Sequence, residues 1–252
     1  MTNPHGSWIW YELLTNDAPA ALDFYTRVVG WTPTKFEGAP SDYTILNAGG
    51  EGLGGVMPNP MPTPPAWLGY IGVDDVDAMV AKIESLGGKV HMPPTTMEQV
   101  GRMALVEDPQ GVKFYVMRGE SPEASKAYDR RGMGKASWNE LSTTDDAAAL
   151  QFYGEVFGWQ KDGAMPMPWG DYSFLRGASD AEVWGAMMPR ENEGQPIGWG
   201  FYFRVGQIDE AKARIEQGGG TVRAGPMEVP GGEWVVMATD PQGAAFGLVG
   251  TK

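Results

Sequence analysis

The sequence predicts an α+β protein made of four strand-helix-strand-strand-strand (βαβββ) modules. Three observations lead there. Residues 8–119 and 136–249 carry one pattern twice. Within each copy, alternating strand periodicity gives way to helical spacing on two occasions. Each copy closes on the same turn, Asp108-Pro109-Gln110-Gly111 and Asp240-Pro241-Gln242-Gly243, ahead of a final strand.

The duplication is legible residue by residue. Trp10-Tyr11-Glu12-Leu13-Leu14-Thr15-Asn16-Asp17 lies 128 residues before Trp138-Asn139-Glu140-Leu141-Ser142-Thr143-Thr144-Asp145. The same offset joins Phe24-Tyr25 to Phe152-Tyr153 and Gly30-Trp31 to Gly158-Trp159. Later landmarks match at an offset of 132: Trp67 with Trp199, Val73 with Val205, Gly87 with Gly219, and the two Asp-Pro-Gln-Gly turns. Matched order and spacing over this length mean a repeated architecture, with insertions between the two sets of landmarks.

The elements follow in order. Ile9, Tyr11 and Leu13 alternate with Trp8, Trp10 and Glu12 as a two-faced strand, and Ala18, Ala21, Leu22, Tyr25 and Val28 follow at helical spacing. Asp17 suits the N-cap, Pro19 the first turn, and Gly30 the helix end. Strands are expected near 32–36, 42–47 and 53–57, and again at 67–73. A helix over 76–86 stops at Gly87-Gly88, and strands follow at 89–92, 101–106 and 112–117. The second copy places helices near 146–157 and 208–217. The modules thus run about 8–57, 66–118, 136–188 and 196–249, giving domains 1–119 and 136–252 joined by a linker at 120–135. The Pro-rich stretch from Met57 to Pro65 reads as a restrained connector.

Composition removes several function classes. A formal charge of -13 repels nucleic acid and anionic membrane surfaces. No run approaches the roughly 20 apolar residues of a membrane span, and the start, Met1 to Ser7, is neither basic nor apolar as a signal peptide would be. The reading is therefore cytoplasmic. Without cysteine there is no disulfide, thiolate nucleophile or Cys-held metal. No Gly-rich stretch has the strand-turn-helix context of a phosphate cradle, and Asp108 and Asp240 read as turn residues.

Taken together, the module order, the runs Asp17…Phe24-Tyr25…Gly30 and Asp145…Phe152-Tyr153…Gly158, and the Asp-Pro-Gln-Gly endings resemble the vicinal oxygen chelate superfamily of glyoxalases, bleomycin resistance proteins and extradiol dioxygenases. The Trp-x-Glu-Leu opening and Phe-Gly-Trp helix end further resemble tandem glyoxalase-like proteins of actinobacteria. The resemblance implies two domains with concave mixed sheets and external helices. It also implies a divalent metal held by a first-strand His or Glu in each module and a last-strand carboxylate in each domain. Those positions are occupied here by Trp10, Leu68, Trp138 and Gly200, and by Tyr115 and Gly247. None is an ordinary metal ligand, and the chain has only His5 and His91. The expectation is therefore no metal and no cofactor.

A curved sheet with helices on one face leaves a hollow for a small molecule. Glu12 and Glu140 stand two residues after the vacated first-strand positions, on the same strand face as Trp10 and Trp138. They are the candidate catalytic groups, as general acids or bases. Two other readings stay open for them, recognition without catalysis and plain structural hydrogen bonding. Tyr70 and Tyr202 are candidate partners of these carboxylates. Trp10, Trp67 and Tyr115, and Trp138, Trp184 and Trp199, with Met57 and Met187, could wall a site for a small apolar or aromatic molecule or simply fill it. Three functions follow: metal-free small-molecule binding, a metal-independent lyase, isomerase or hydrolase, or a structural or regulatory interaction protein with filled clefts. The copies are expected to pack on one another within the chain or, in a homodimer, on a second chain.

Overall fold

A computed structural model describes residues 3–38, 42–60, 63–178 and 180–252; Met1 and Thr2 of the N-terminal segment and Met61 and Pro62 of the proline-rich connector lie outside the described residues. The first module is β1 (Trp8–Thr15), α1 (Ala18–Val28), β2 (Thr32–Lys35), β3 (Thr44–Ala48) and β4 (Glu51–Pro58). The second is β5 (Ala66–Gly72), α2 (Val76–Ser85), β6 (Lys89–Met97), β7 (Gly101–Glu107) and β8 (Lys113–Gly119). The third is β9 (Ala136–Thr143), α3 (Asp146–Phe157), β10 (Gln160–Met167), β11 (Gly170–Arg176) and β12 (Gly185–Pro189). The fourth is β13 (Gly198–Gln207), α4 (Ile208–Gln217), β14 (Thr221–Val229), β15 (Glu233–Thr239) and β16 (Ala245–Thr251). This is the fourfold βαβββ order read from the sequence.

The strands form two sheets, ordered β2-β3-β4-β1-β5-β8-β7-β6 and β10-β11-β12-β9-β13-β16-β15-β14. In every module the first and last strands pair in parallel, β1 with β4, β5 with β8, β9 with β12 and β13 with β16. The remaining pairs are antiparallel hairpins, so the sheets are mixed. β6 runs past Pro93-Pro94 to Met97, longer than the expected 89–92. Register shifts beside these prolines account for it, because a bulge tolerates a missing donor.

Three helices open on an aspartate whose carboxylate accepts a backbone N–H three residues on: Asp17 from Ala20, Asp75 from Ala78, Asp145 from Ala148. Each cap contributes about 1 kcal/mol. Gln207 precedes α4 without a side-chain cap, and Asp209 and Glu210 in the first turn face the positive end of the helix dipole instead.

Contacts divide the chain into two compact units, one of Met1–Ile9, Gly69–Ser125 and Asn139–Trp199, the other of Trp10–Leu68, Lys126–Trp138 and Gly200–Lys252. Each unit draws one module from each sequence copy. In the first, α2 meets α3, and Trp8, Trp159, Trp184 and Trp199 pack in edge-to-face, tilted and stacked pairs with Tyr153 and Phe157. In the second, α1 meets α4, and Tyr25, Trp31, Trp67, Phe203 and Phe246 form the corresponding cluster. Burying each of these rings is worth roughly 1.5–3 kcal/mol, and each tilted pair adds about 0.5–1.5 kcal/mol.

Candidate ligand site

The two sequence signatures meet inside each unit. In the first, Trp199 Nε1 donates to the Tyr153 hydroxyl at 3.1 Å, and that hydroxyl donates to Asp108 Oδ2 at 3.0 Å. Asp108 Oδ1 accepts the backbone N–H groups of Gln110 and Val112. Gln110 Oε1 accepts from Thr143 and from the backbone of Thr144 and Asp145, at the start of α3. The second unit repeats this chain: Trp67 donates to Tyr25 at 2.9 Å, Tyr25 donates to Asp240 at 3.3 Å, and Gln242 Oε1 accepts from Thr15 and from the backbone N–H of Asp17. The Asp-Pro-Gln-Gly turn of one copy thus holds the Phe-Tyr helix of the other. Burial raises both tyrosines well above the usual phenol value, and the neighbouring aspartate adds to it. Burial also raises Asp108 and Asp240, against the backbone donors that favour their ionised forms. The aspartates read as turn residues are turn residues with a second role, as buried acceptors. A cleft of about 270 Å³ lies beside the first of these clasps, lined by Pro109, Gln110, Ala149, Phe152 and Glu155; its lining is separate from the strand faces that carry Glu12 and Glu140.

Those faces resemble one another in sequence and differ in detail. In the first module Tyr11, Leu13 and Thr15 are fully buried, and the alternate residues Trp10, Glu12 and Leu14 share the other face. Glu12 pairs with Gly55 of β4. A Cβ on Gly55 would run into the Tyr43 phenol, so Tyr43 lies over that glycine. There its oxygen accepts the Trp10 indole N–H at 2.8 Å. Glu12 is only 3% exposed.

In the third module Glu140 pairs with Ala186 of β12, which pairs in turn with Phe174 of β11. A methyl occupies the place of Gly55's hydrogen, and the corresponding Tyr172 donates to Glu140 Oε2 at 2.6 Å. Asn139, Leu141 and Thr143 on the opposite face are fully buried, whereas Glu140, Tyr172 and Phe174 are half-buried.

The other expected site residues separate into cores and pairs. Trp67 belongs to the aromatic core of the second unit, and Trp184 and Trp199 to that of the first. Met187 shares the fully buried row of Leu141. Tyr70 stacks on its strand partner Tyr115 with ring centroids 4.1 Å apart. Tyr202 covers Gly247, its partner in β16. Trp138 carries the Arg130 guanidinium over its ring at 5.1 Å. Sequence reasoning missed Tyr43 and Tyr172. The signal was present, since they stand at matching places before and within the third-strand hairpins, but their contact with the first strand depends on sheet register.

The family model described as the Glyoxalase/Bleomycin resistance protein/Dioxygenase superfamily matches residues 9–116 and 136–248. The chain belongs to this superfamily. Over 95% of its length it is 34% identical to the Mycobacterium tuberculosis protein named "Putative glyoxylase CFP32", covering 93% of that protein. It is 30% identical over 97% of its length to the anthracycline biosynthesis protein DnrV of Streptomyces peucetius, again covering 93%. Among solved structures, the 2,3-dioxygenase LapB of Pseudomonas sp. KL28 superposes with a TM-score of 0.70 at 13% identity, over 99% of this chain and 93% of that one, a likeness of fold alone.

The residues of this superfamily member do not fit the usual metal. Indole, isobutyl and hydrogen at Trp10, Leu68, Trp138 and Gly200 offer no lone pair suited to a divalent ion. A carboxylate at Gly247 would collide with Tyr202, and Tyr115 is held in its stack with Tyr70. Among the described residues no three His, Cys, Asp or Glu side chains cluster as a metal site. His91 is tied to Glu107 at 2.9 Å, and His5 contacts the Val156 carbonyl. Among the described residues no helix is long and apolar enough to cross a membrane.

Proposed function

We propose that the chain is a small-molecule binding protein of the glyoxalase/bleomycin resistance type that works without the superfamily's usual divalent metal, and that its ligand is a small aromatic or apolar organic molecule. The observation that carries this reading is the acid–phenol pair Glu140–Tyr172 on a half-buried strand face. Trp138 stands two residues before Glu140, at a metal position of the family. Aromatic area plus an oriented hydrogen-bonding pair suits recognition of a ring with polar substituents. The likeness to DnrV, named for anthracycline biosynthesis, supports a planar aromatic ligand. Sequestration or resistance is the role such binding would serve. The test is titration of the chain with planar aromatic compounds, followed by tryptophan fluorescence, with and without a chelator. Saturable quenching with the same midpoint in both is expected. No saturable binding, or binding only after divalent metal is added, would overturn the proposal.

The same pair favours a second reading, a metal-independent lyase, isomerase or hydrolase. A carboxylate hydrogen-bonded to a phenol can take a proton alpha to a carbonyl, the phenol steadying the charge that moves. Glu140 would be the base of this pair, with Glu12, buried in the first module, as its counterpart in sequence, and unchanged turnover in the Glu12→Gln, Glu140→Gln double variant would remove both from any mechanism.

A further inference from the structure

We propose that the third module carries the ligand-binding site of the chain, and that its occupant is a planar aromatic molecule carrying carbonyl or hydroxyl oxygens, held by Ser142 and Trp169. This rests on the small-molecule reading above and narrows it to one copy and one ligand class. Ser142 follows Glu140 by two residues in β9, so both side chains leave the same face of the strand. The parallel register sets Ser142 beside Met188 and Glu140 beside Ala186. Continuing the antiparallel register of β11 with β12 brings Tyr172 level with Met188.

Two donors on this module have no internal acceptor. Ser142 is 9% exposed, its hydroxyl is buried, and it has no hydrogen-bond partner among the described residues. The Trp169 indole N–H is buried and unpartnered in the same way. Trp169 sits in the turn between β10 and β11, and the next residue, Gly170, lies against Pro189. Pro189 follows Met188, the strand partner of Ser142, so Trp169 belongs to the same end of this sheet. Buried polar groups are nearly always satisfied, and an orphan is costly unless something else completes it.

Trp169 can only donate, and Glu140 already accepts from Tyr172. The group missing at Trp169 is therefore an acceptor and the one at Ser142 an acceptor or a donor, both of which carbonyl and hydroxyl oxygens on a ligand supply. Met188 and Phe174 supply apolar side chains on the same face for a ring, with the small Ala186 between Phe174 and Glu140. In the first module the place of Ser142 is taken by Leu14, and Tyr43 covers Gly55.

The experiment measures binding of dihydroxyanthraquinone, and of anthracene as a planar ring without any hydrogen-bonding group, to the full chain and to Ser142→Ala, Ser142→Leu and Trp169→Phe. The wild type is expected to prefer the quinone. Ser142→Ala and Trp169→Phe should each weaken quinone binding roughly three- to tenfold. Ser142→Leu, which copies the first module, should abolish it. Ser142→Ala should do this without lowering the melting temperature, since the hydroxyl has no internal bond to lose. Wild-type quinone binding in Ser142→Leu, equal affinity for anthracene, or a Ser142→Ala variant that melts earlier but binds normally would overturn the inference while leaving small-molecule binding intact. Failure of the wild type to bind either ring would overturn both.

Discussion

On the face of β1, β3 and β4, Tyr43 lies over Gly55 and takes the Trp10 indole N–H; on the face of β9, β11 and β12, the corresponding Tyr172 gives its own O–H to Glu140. One methyl separates the two. Gly55 lets a phenol lie on the sheet, and Ala186 keeps it off. The first face is thereby sealed, with Glu12 and Leu14 buried beneath it, while on the second Glu140, Tyr172 and Phe174 stay half-buried above a buried Ser142. The two clasps did not diverge in this way: Trp67–Tyr25–Asp240 and Trp199–Tyr153–Asp108 agree bond for bond. The clasps are alike in both copies, and the strand faces are where the copies differ.

The largest expected effect tests the conserved half of that comparison. Asp108→Ala and Asp240→Ala each strand two backbone donors and a buried tyrosine hydroxyl. Each should cost about 3 kcal/mol in chemical denaturation. Equal losses are expected, and a difference above about 1.5 kcal/mol would show that the clasps are not equivalent. Next in size, Gly55→Ala should cost about 2 kcal/mol, because Tyr43 must leave the sheet and release Trp10. The mirror change Ala186→Gly should cost about 1 kcal/mol or less, as ordinary strand-glycine entropy. Equal effects would mean that the methyl does not set the two faces apart.

The smallest effect is in pH. Tyr25 and Tyr153 are raised in the folded chain, so the unfolded chain releases their protons first and stability falls as pH rises beyond about 10. Tyr25→Phe and Tyr153→Phe should each flatten that alkaline loss by a similar amount in denaturation followed against pH. The acid limb is less diagnostic. Raised Asp108 and Asp240 lose stability as pH climbs past the usual carboxylate value. Glu107, whose burial is outweighed by Lys89 and His91, loses it as pH falls below its usual value.

The fold was legible because its signals are local: alternation in β1, the Asp17 and Asp145 caps, and a turn repeated at a fixed offset. The vacated metal positions were equally legible, since indole and hydrogen are poor ligands wherever they point. What the sequence could not convey was which aromatics lie inside. Trp67, Trp184 and Trp199 read equally well as cleft walls, and long-range packing made them core. The Glu140–Tyr172 pair depends on register across three strands, and no spacing in the chain announces it. Ser142 did leave a trace, a polar residue where the first copy has Leu14, but its significance appears only once its hydroxyl is seen to be buried without a partner.

The most direct test of metal-free binding in one copy is calorimetric titration of the full chain with dihydroxyanthraquinone, before and after exhaustive chelation and again with added manganese. A single site per chain with the same affinity in all three conditions is predicted. Two equivalent sites, or binding that vanishes on chelation and returns with manganese, would contradict it.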